Sequence, residues 1–125
     1  MCNKTNTPAT VQARVFVLPS YPAAYESVIA VGATDSSDVL ASFSNTGSYV
    51  ELVAPGVSVN STHLNGGYAQ FSGTSMASPH VAGTAALFLA SGSYTNTDVR
   101  AMLSDNAELL ANGYYMVNAP NAFVE

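Results

Sequence analysis

The feature that most constrains this chain is a stretch of small and apolar side chains at residues 76–90, MASPHVAGTAALFLA. A helix that is apolar on every side is normally buried, so the pattern predicts a buried central helix. Pro79 falls in its first turn, where a missing N–H costs little, and Gly92 is suited to end it. Together with the apolar strands predicted around it, this helix indicates an α/β fold.

Short strands are predicted on both sides of this helix. Residues 27–34 (SVIAVGAT) form a β-branched apolar run without alternation, which is typical of a strand covered on both faces in a parallel sheet. Further strands are predicted at residues 15–18, 49–54, 57–62, 68–72 and 114–117, with a turn at residues 65–67.

A second helix is predicted over residues 95–104. Thr95 can cap it together with Asp98, three positions later. Its apolar face is expected to consist of Val99, Met102 and Leu103.

Composition excludes several classes of partner. The 125 residues indicate one domain or a piece of one, and the net charge is −5 with Lys4, Arg14 and Arg100 as the basic residues. No basic cluster is present, so we expect no nucleic-acid partner. No apolar run reaches the ~20 residues of a membrane span, and the first residues do not read as a signal peptide. Cys2 is the single cysteine, which excludes an internal disulfide.

Ser75 is the candidate nucleophile. It lies where a strand and a tight turn open into the apolar helix. Free backbone N–H groups and the positive end of the helix dipole converge at such a point. Acyl transfer needs this combination of a hydroxyl and donors for a developing oxyanion. The alternative is that Ser75 only caps the helix.

The neighbouring residues favour the catalytic interpretation. Residues 73–83 (GTSMASPHVAG) resemble the nucleophile motif of the subtilisin-like serine proteases, the subtilases. Blocks at residues 21–34, 41–44, 53–57 and 117–119 resemble further family segments in the same order. The resemblance covers residues 21–123, so residues 21–125 are interpreted as the C-terminal part of a subtilisin-like peptidase domain and residues 1–20 as an unmatched segment.

The resemblance implies a role for each matched residue. Ser75 would be the nucleophile, Thr74 would place its hydroxyl near the oxyanion, and Met76 would flank the nucleophile. Tyr21 and Pro22 would carry a cis peptide beside the wall of the substrate pocket. The implied fold is a partial three-layer α/β fold, with a mostly parallel sheet and a buried central helix starting at Ser75.

The resemblance also implies an activity and its setting. The family's members are serine endopeptidases that act on proteins or peptides, in most cases outside the cell. We expect no cofactor and no metal site in this chain, although a weak structural cation is possible in the full domain near residues 23–28.

Other parts of the family pattern are missing from the sequence. Neither an Asp-Thr-Gly nor a His-Gly-Thr-His motif occurs, and residues 9–20 stand where the loop with the oxyanion asparagine would be expected. Asn3 and Asn6 lie too far upstream to replace it. His80 is expected to be a packed structural residue pointing away from Ser75, and His63 an exposed loop residue. The acids Asp35, Asp38, Glu51, Asp98 and Asp105 are expected to be capping or solvated residues.

These departures predict a chain with almost no protease activity of its own, because loss of triad members in this family costs up to ~10⁶ in turnover. Tyr115 is a smaller departure, since the family usually has glycine there; if the position needs a positive φ, tyrosine would be strained.

Three interpretations follow from these observations. The first is a serine endopeptidase represented by part of its domain. The second is a non-catalytic remnant that associates with a missing N-terminal part or with itself through exposed strand edges. The third is an α/β-hydrolase, because Gly73, Ser75 and Ala77 nearly match the nucleophile elbow. No histidine follows in the right place for that class, so we set it aside.

Overall fold

The computed structural model describes residues 21–119, so the strand predicted at residues 15–18 lies outside the described part. Within that range the chain forms a four-stranded sheet, a separate two-stranded hairpin and two helices. The helices are α1 (Thr74–Ala90) and α2 (Asn96–Asp105). This is the predicted α/β class.

The main sheet consists of β1 (Val31–Thr34), β2 (Leu52–Pro55), β5 (Glu108–Leu109) and β6 (Tyr115–Met116). Its strand order is β1-β2-β6-β5. The pairings β1–β2 and β2–β6 are parallel, as predicted, and the unpredicted β5 runs antiparallel to β6. In the interior strand β2, Val53 and Ala54 are fully buried, which fits an apolar run covered on both faces.

The two-stranded hairpin precedes α1. It pairs β3 (Val59–Thr62) with β4 (Tyr68–Phe71) in antiparallel register. A short 3-10 turn at Leu64–Gly66 joins the strands, and Asn65 there has a left-handed conformation with φ of 61°. The turn predicted from the Asn-Gly-Gly sequence is therefore confirmed.

Helix α1 is buried on one face, and the prediction of a helix buried all round is wrong for the described residues. It contacts β1, β2 and α2. The buried stripe repeats at helical spacing and consists of Ala77, Val81, Thr84 and Phe88. On the two flanks of this stripe, one on each side of Phe88, Leu87 is 48% exposed and Leu89 is 50% exposed. The sheet and α2 together cover only one stripe, and no other part of residues 21–119 covers the rest.

Helix α2 begins as the sequence predicted. The Thr95 side chain accepts a hydrogen bond from the Asp98 N–H, and the Asp98 carboxylate accepts one from the Thr95 N–H at 2.8 Å. This reciprocal capping box satisfies two free donors of the first turn. Val99 and Leu103 are buried and Met102 packs against the same core.

Tyr115 is not strained. It lies in β6, and the non-glycine residues with positive φ among those described are Asp38, Ser58 and Asn65. The positive φ in this segment is found instead at Gly113, with φ of 85°. The tyrosine therefore occupies ordinary extended backbone.

Candidate active site

Helix α1 starts at Thr74, one residue earlier than predicted, and Ser75 is the second residue of its first turn. The N-cap is Gly73, and no side chain caps the helix. The interpretation of Ser75 as a capping residue is therefore wrong. The Met76 N–H donates to the Gly73 carbonyl at 3.0 Å. Among the described residues the N–H groups of Thr74 and Ser75 have no hydrogen-bond partner, so two donors at the positive end of the helix dipole remain available beside the Ser75 hydroxyl.

The turn after β2 fixes the start of α1. The Gly73 N–H donates to the Gly56 carbonyl at 2.8 Å. A Cβ at Gly56 would lie 2.6 Å from the Ala33 Cβ and 2.9 Å from the Gly73 carbonyl oxygen. Glycine is therefore needed at this close approach, through which the sheet positions the helix start carrying Ser75.

A first groove of about 740 Å³ runs along one side of Ser75. Four predicted site residues, Tyr21, Pro22, Thr74 and Ser75, lie on its wall together. The Tyr21–Pro22 peptide bond is cis, as the resemblance implied. The other lining residues are Ala23, Val28, Ile29, Val31, Asn45, Ser78, Pro79 and Ala82.

A second groove, of about 380 Å³, lies on the other side of Ser75. The predicted Met76 lines this groove and not the first. Its remaining lining residues come from the hairpin and from α1, namely Val59, Asn60, Ser61, Pro79 and His80. Ser75 thus lies between two open clefts, which is the position a nucleophile needs if a chain is to extend past it in both directions.

The two histidines are not hydrogen-bonded to Ser75. The Nδ1 atom of His80 lies 2.9 Å from the Met76 carbonyl oxygen. His80 is exposed, so the expectation that it is a packed residue is wrong for the described residues, although it lines the second groove together with Ser75. The His63 ring is exposed and lies against Phe71, with the ring centroids 5.6 Å apart.

Three of the five acids have structural partners: Asp35 and Asp98 bond to nearby backbone N–H groups, as expected of capping residues, whereas the ion pair of Glu51 was not predicted. The Asp35 carboxylate accepts from the Ser37 N–H at 2.8 Å and from the Val39 N–H at 3.1 Å. Hydrogen bonds from the hydroxyl and N–H of Thr95 hold the pKa of Asp98 below its ordinary value. Glu51 forms an ion pair with Arg100. Asp38 and Asp105 are exposed.

Neither a metal cluster nor a membrane helix is found in the described part of the chain. Residues 21–119 contain no group of three or more His, Cys, Asp or Glu side chains placed to hold an ion. In the same range no helix combines the length and apolarity that crossing a bilayer requires.

Most residues of the first groove were not predicted from the sequence. Ile29 and Val31 were assigned only to a strand, although they line the groove together with residues of α1. Ser78 and Ala82 follow Ser75 at helical spacing, a signal that could have placed them on the same face. No local sequence pattern predicted that Arg100 contacts Glu51 and Glu26.

The fold and the site together define the arrangement of a serine hydrolase: a serine lies at the start of a helix that packs on a mostly parallel sheet, with a cleft on each side of the serine. The model of the subtilase family matches residues 12–122, a match that begins upstream of Tyr21. The chain therefore belongs to the subtilase family.

Curated relatives and a solved structure agree with this assignment. The chain is 52% identical to subtilisin E of Bacillus subtilis (strain 168) over 96 residues, which cover 76% of this chain and 25% of that protein. It is 51% identical to the thermophilic serine proteinase of Bacillus sp. (strain AK1) over 106 residues, 81% of this chain and 26% of that one. A cold adapted subtilisin-like serine proteinase superimposes with a TM-score of 0.76 at 39% identity, over 80% of this chain and 39% of that chain. The chain thus spans about a quarter of the length of these curated relatives.

Proposed function

We propose that this chain is the nucleophile-bearing part of a serine endopeptidase domain, with Ser75 forming the acyl-enzyme. The observation that carries the proposal is the position of Ser75 at the start of α1, between two clefts and beside two N–H groups that have no partner among the described residues. Proteins or peptides are the proposed substrates, and an extracellular setting is part of the same proposal. Fractionation of the producing cells tests the setting.

The proposed chemistry uses each side of Ser75 differently. Its hydroxyl oxygen attacks the carbonyl carbon of the scissile peptide bond, and the backbone N–H groups at the start of α1 stabilise the oxyanion, aided by the Thr74 hydroxyl. The first groove would hold the side chain on the acyl side of the bond. The second groove, flanked by Met76, would hold the leaving segment.

Turnover by the chain alone is expected to be close to background. A general base has to remove the Ser75 proton and then donate it to the leaving amine. Among residues 21–119 no histidine or carboxylate is hydrogen-bonded to Ser75. The loss of triad residues costs up to ~10⁶ in turnover in subtilisins.

Labelling with a fluorophosphonate tests the nucleophile directly. We expect the intact mass of the purified chain to stay unchanged under conditions that label a complete subtilisin, because no histidine or carboxylate within residues 21–119 is hydrogen-bonded to Ser75 as a base would be. Stoichiometric labelling that Ser75→Ala abolishes would show that a base is recruited and that the chain is itself an activated hydrolase. Labelling that survives in Ser75→Ala would remove Ser75 from the proposed role.

A second candidate function is association through the uncovered face of α1. The supporting observation is that Leu87 and Leu89 are each about half exposed on a helix that has few polar side chains. Burial of such a face against another polypeptide is favourable, at roughly 25 cal/mol per Å² of apolar surface. Sedimentation velocity over a range of concentrations tests it, and a constant monomer at all of them would contradict it.

A further inference from the structure

One side of the first groove is held by few backbone hydrogen bonds of its own among the described residues. Residues 21–28 form a turn, here called the wall turn, that contributes Tyr21, Pro22, Ala23 and Val28 to the groove. Its own backbone hydrogen bonds run from the Tyr25 N–H to the Pro22 carbonyl at 3.1 Å and from the Val28 N–H to the Tyr25 carbonyl at 2.9 Å. Its tyrosines are largely exposed, Tyr21 at 64% and Tyr25 at 57%, and apart from these bonds the turn has one contact between their rings, with centroids 4.8 Å apart. Local contacts alone therefore fix the wall turn only weakly.

Arg100 of α2 connects the wall turn to a distant part of the chain. Its Nη1 donates to the Glu26 carbonyl, within the wall turn, at 2.6 Å. Its Nε and Nη2 donate to the two carboxylate oxygens of Glu51, the former at 2.9 Å. One planar guanidinium thus joins α2, the residue preceding β2 and the wall turn. Arg100 itself is not among the residues that line the groove.

The bidentate contact with Glu51 fixes the orientation of the Arg100 guanidinium. A guanidinium held by both oxygens of a carboxylate cannot rotate freely, so the third donor is aimed at a fixed point. Glu51 is in turn anchored to the sheet, because its N–H donates to the Ala30 carbonyl at 3.0 Å. The Arg100 and Glu51 side chains therefore hold the Glu26 carbonyl at a fixed position relative to the sheet.

The same pair should add little to global stability. The Arg100 and Glu51 side chains are 34% and 30% exposed, and partly exposed ion pairs are screened by water and salt. Hydrogen bonds to the Glu51 carboxylate raise the pKa of Arg100 further above its ordinary value, so the guanidinium is charged at every working pH. A partly exposed contact that spans three elements is better suited to setting geometry than to holding the fold.

We propose that Arg100 is a positioning residue for the substrate groove: paired with Glu51, it fixes the wall turn and so sets the width of the groove beside Ser75. This inference rests on the proposed function, because it assigns that groove to the substrate side chain. The width of the groove in turn decides which substrate side chains fit it, so the Arg100–Glu51 pair would act on selectivity through the backbone of the wall turn.

The test measures the wall turn and the groove separately on the whole chain. Amide hydrogen exchange by NMR reports the Tyr25 and Val28 N–H groups relative to those of β2. In Arg100→Met both amides should exchange roughly fivefold faster, because one charged hydrogen bond no longer holds the turn. A titration with N-acetyl-phenylalanine amide, followed at the Thr74 and Ser75 amides, should give a dissociation constant at least about threefold weaker, because a smaller fraction of molecules has the groove formed.

Two further variants separate positioning from general loosening. Arg100→Lys keeps the charge but lacks the planar fork, so it should resemble Arg100→Met, and it serves as the test if Arg100→Met does not fold. Thr95→Ala breaks the capping box of α2 without touching the guanidinium contacts, so it should lower stability and leave both the relative exchange and the dissociation constant unchanged.

Unchanged exchange at Tyr25 and Val28 in both Arg100 variants would overturn the proposal. So would an equal response in Thr95→Ala. If the probe does not shift the Ser75 amide even in the unaltered chain, the groove assignment in the proposed function fails. The exchange data then still decide whether Arg100 holds the wall turn.

Discussion

Thr34 has a side-chain hydroxyl that is fully buried and has no hydrogen-bond partner within residues 21–119. A buried hydroxyl loses its bonds to water, and without a replacement this desolvation cost is not recovered. Valine has nearly the same shape and no polar atom. We therefore expect Thr34→Val to raise the free energy of unfolding by about 1 kcal/mol, measured by urea denaturation.

Thr84 is the matched control, since it is also buried but its hydroxyl donates to the His80 carbonyl at 2.9 Å. Thr84→Val removes a made bond and should not stabilise the chain. Equal gains in both variants would mean that apolar burial in general, and not the unpaired Thr34 hydroxyl, is responsible.

For individual residues, the sequence predicted those site residues that belong to a motif of consecutive residues. Ser75 and Thr74 were predicted from the eleven-residue motif that opens α1, and Tyr21 and Pro22 from the block before β1. The partner of Arg100 could not be predicted in this way. Its contacts reach Glu51 and Glu26 across the fold, and nothing local in the sequence distinguishes a long-range carboxylate partner from a solvated one.

Among the elements, the junction between β2 and α1 is the most sensitive to added volume. Gly56→Ala would place a methyl group within contact distance of Ala33 and of the Gly73 carbonyl, and backbone atoms cannot move aside as a flexible side chain can. We expect a loss of about 1–3 kcal/mol in the free energy of unfolding and displaced amide resonances for Thr74 and Ser75. A fully stable variant with unchanged Ser75 resonances would show that the junction tolerates the methyl group.

Helix α2 should respond to acid through its capping box. The folded-state pKa of Asp98 is lowered by its bonds to Thr95, so the carboxylate stabilises the fold above its ordinary pKa, and this contribution is lost as pH falls through the folded value. In Asp98→Asn this part of the acid dependence should disappear, giving a shallower decline of the unfolding midpoint below pH 5.

Asp105, at the other end of α2, is exposed and is the comparison site. The Asp105→Asn variant should keep the slope of the unaltered chain. Identical slopes in all three proteins would mean that the Asp98 box is not linked to stability.

Element prediction succeeded where the signal was local. The start of α2 followed from Thr95 and Asp98, and the hairpin turn from its Asn-Gly-Gly sequence. Strand β5 was missed because it has two residues, Glu108 and Leu109, and only its pairing with β6 defines it. Two residues are too short for any periodicity to appear.

For the whole molecule, the uncovered face of α1 is the dominant feature. The apolar sequence of α1 indicates that the helix is suited to a buried position. How much of it is exposed depends on which other segments pack against it. Replacing both Leu87 and Leu89 by glutamine should abolish any concentration-dependent increase in the sedimentation coefficient, since it removes exposed apolar surface from both flanks of the uncovered side of α1.

Leu64 provides the control for this experiment, because it is 76% exposed but lies at the tip of the hairpin, away from α1. Leu64→Gln should leave the sedimentation behaviour unchanged. If it has the same effect as the double replacement, exposed leucine in general, and not the α1 face, drives association.

The pairing of Val53 in β2 with Met116 in β6 has a consequence for how the chain is made. Synthesis runs from the N-terminus, so β1 and β2 leave the ribosome well before β6 exists. Closing so long a loop is also entropically costly, which delays the contact further. Strand β2, which ends in the interior of the sheet, therefore has an open edge while the residues between it and β6 are synthesised. During that interval a nascent chain is most exposed to pairing with a neighbour on the same messenger RNA.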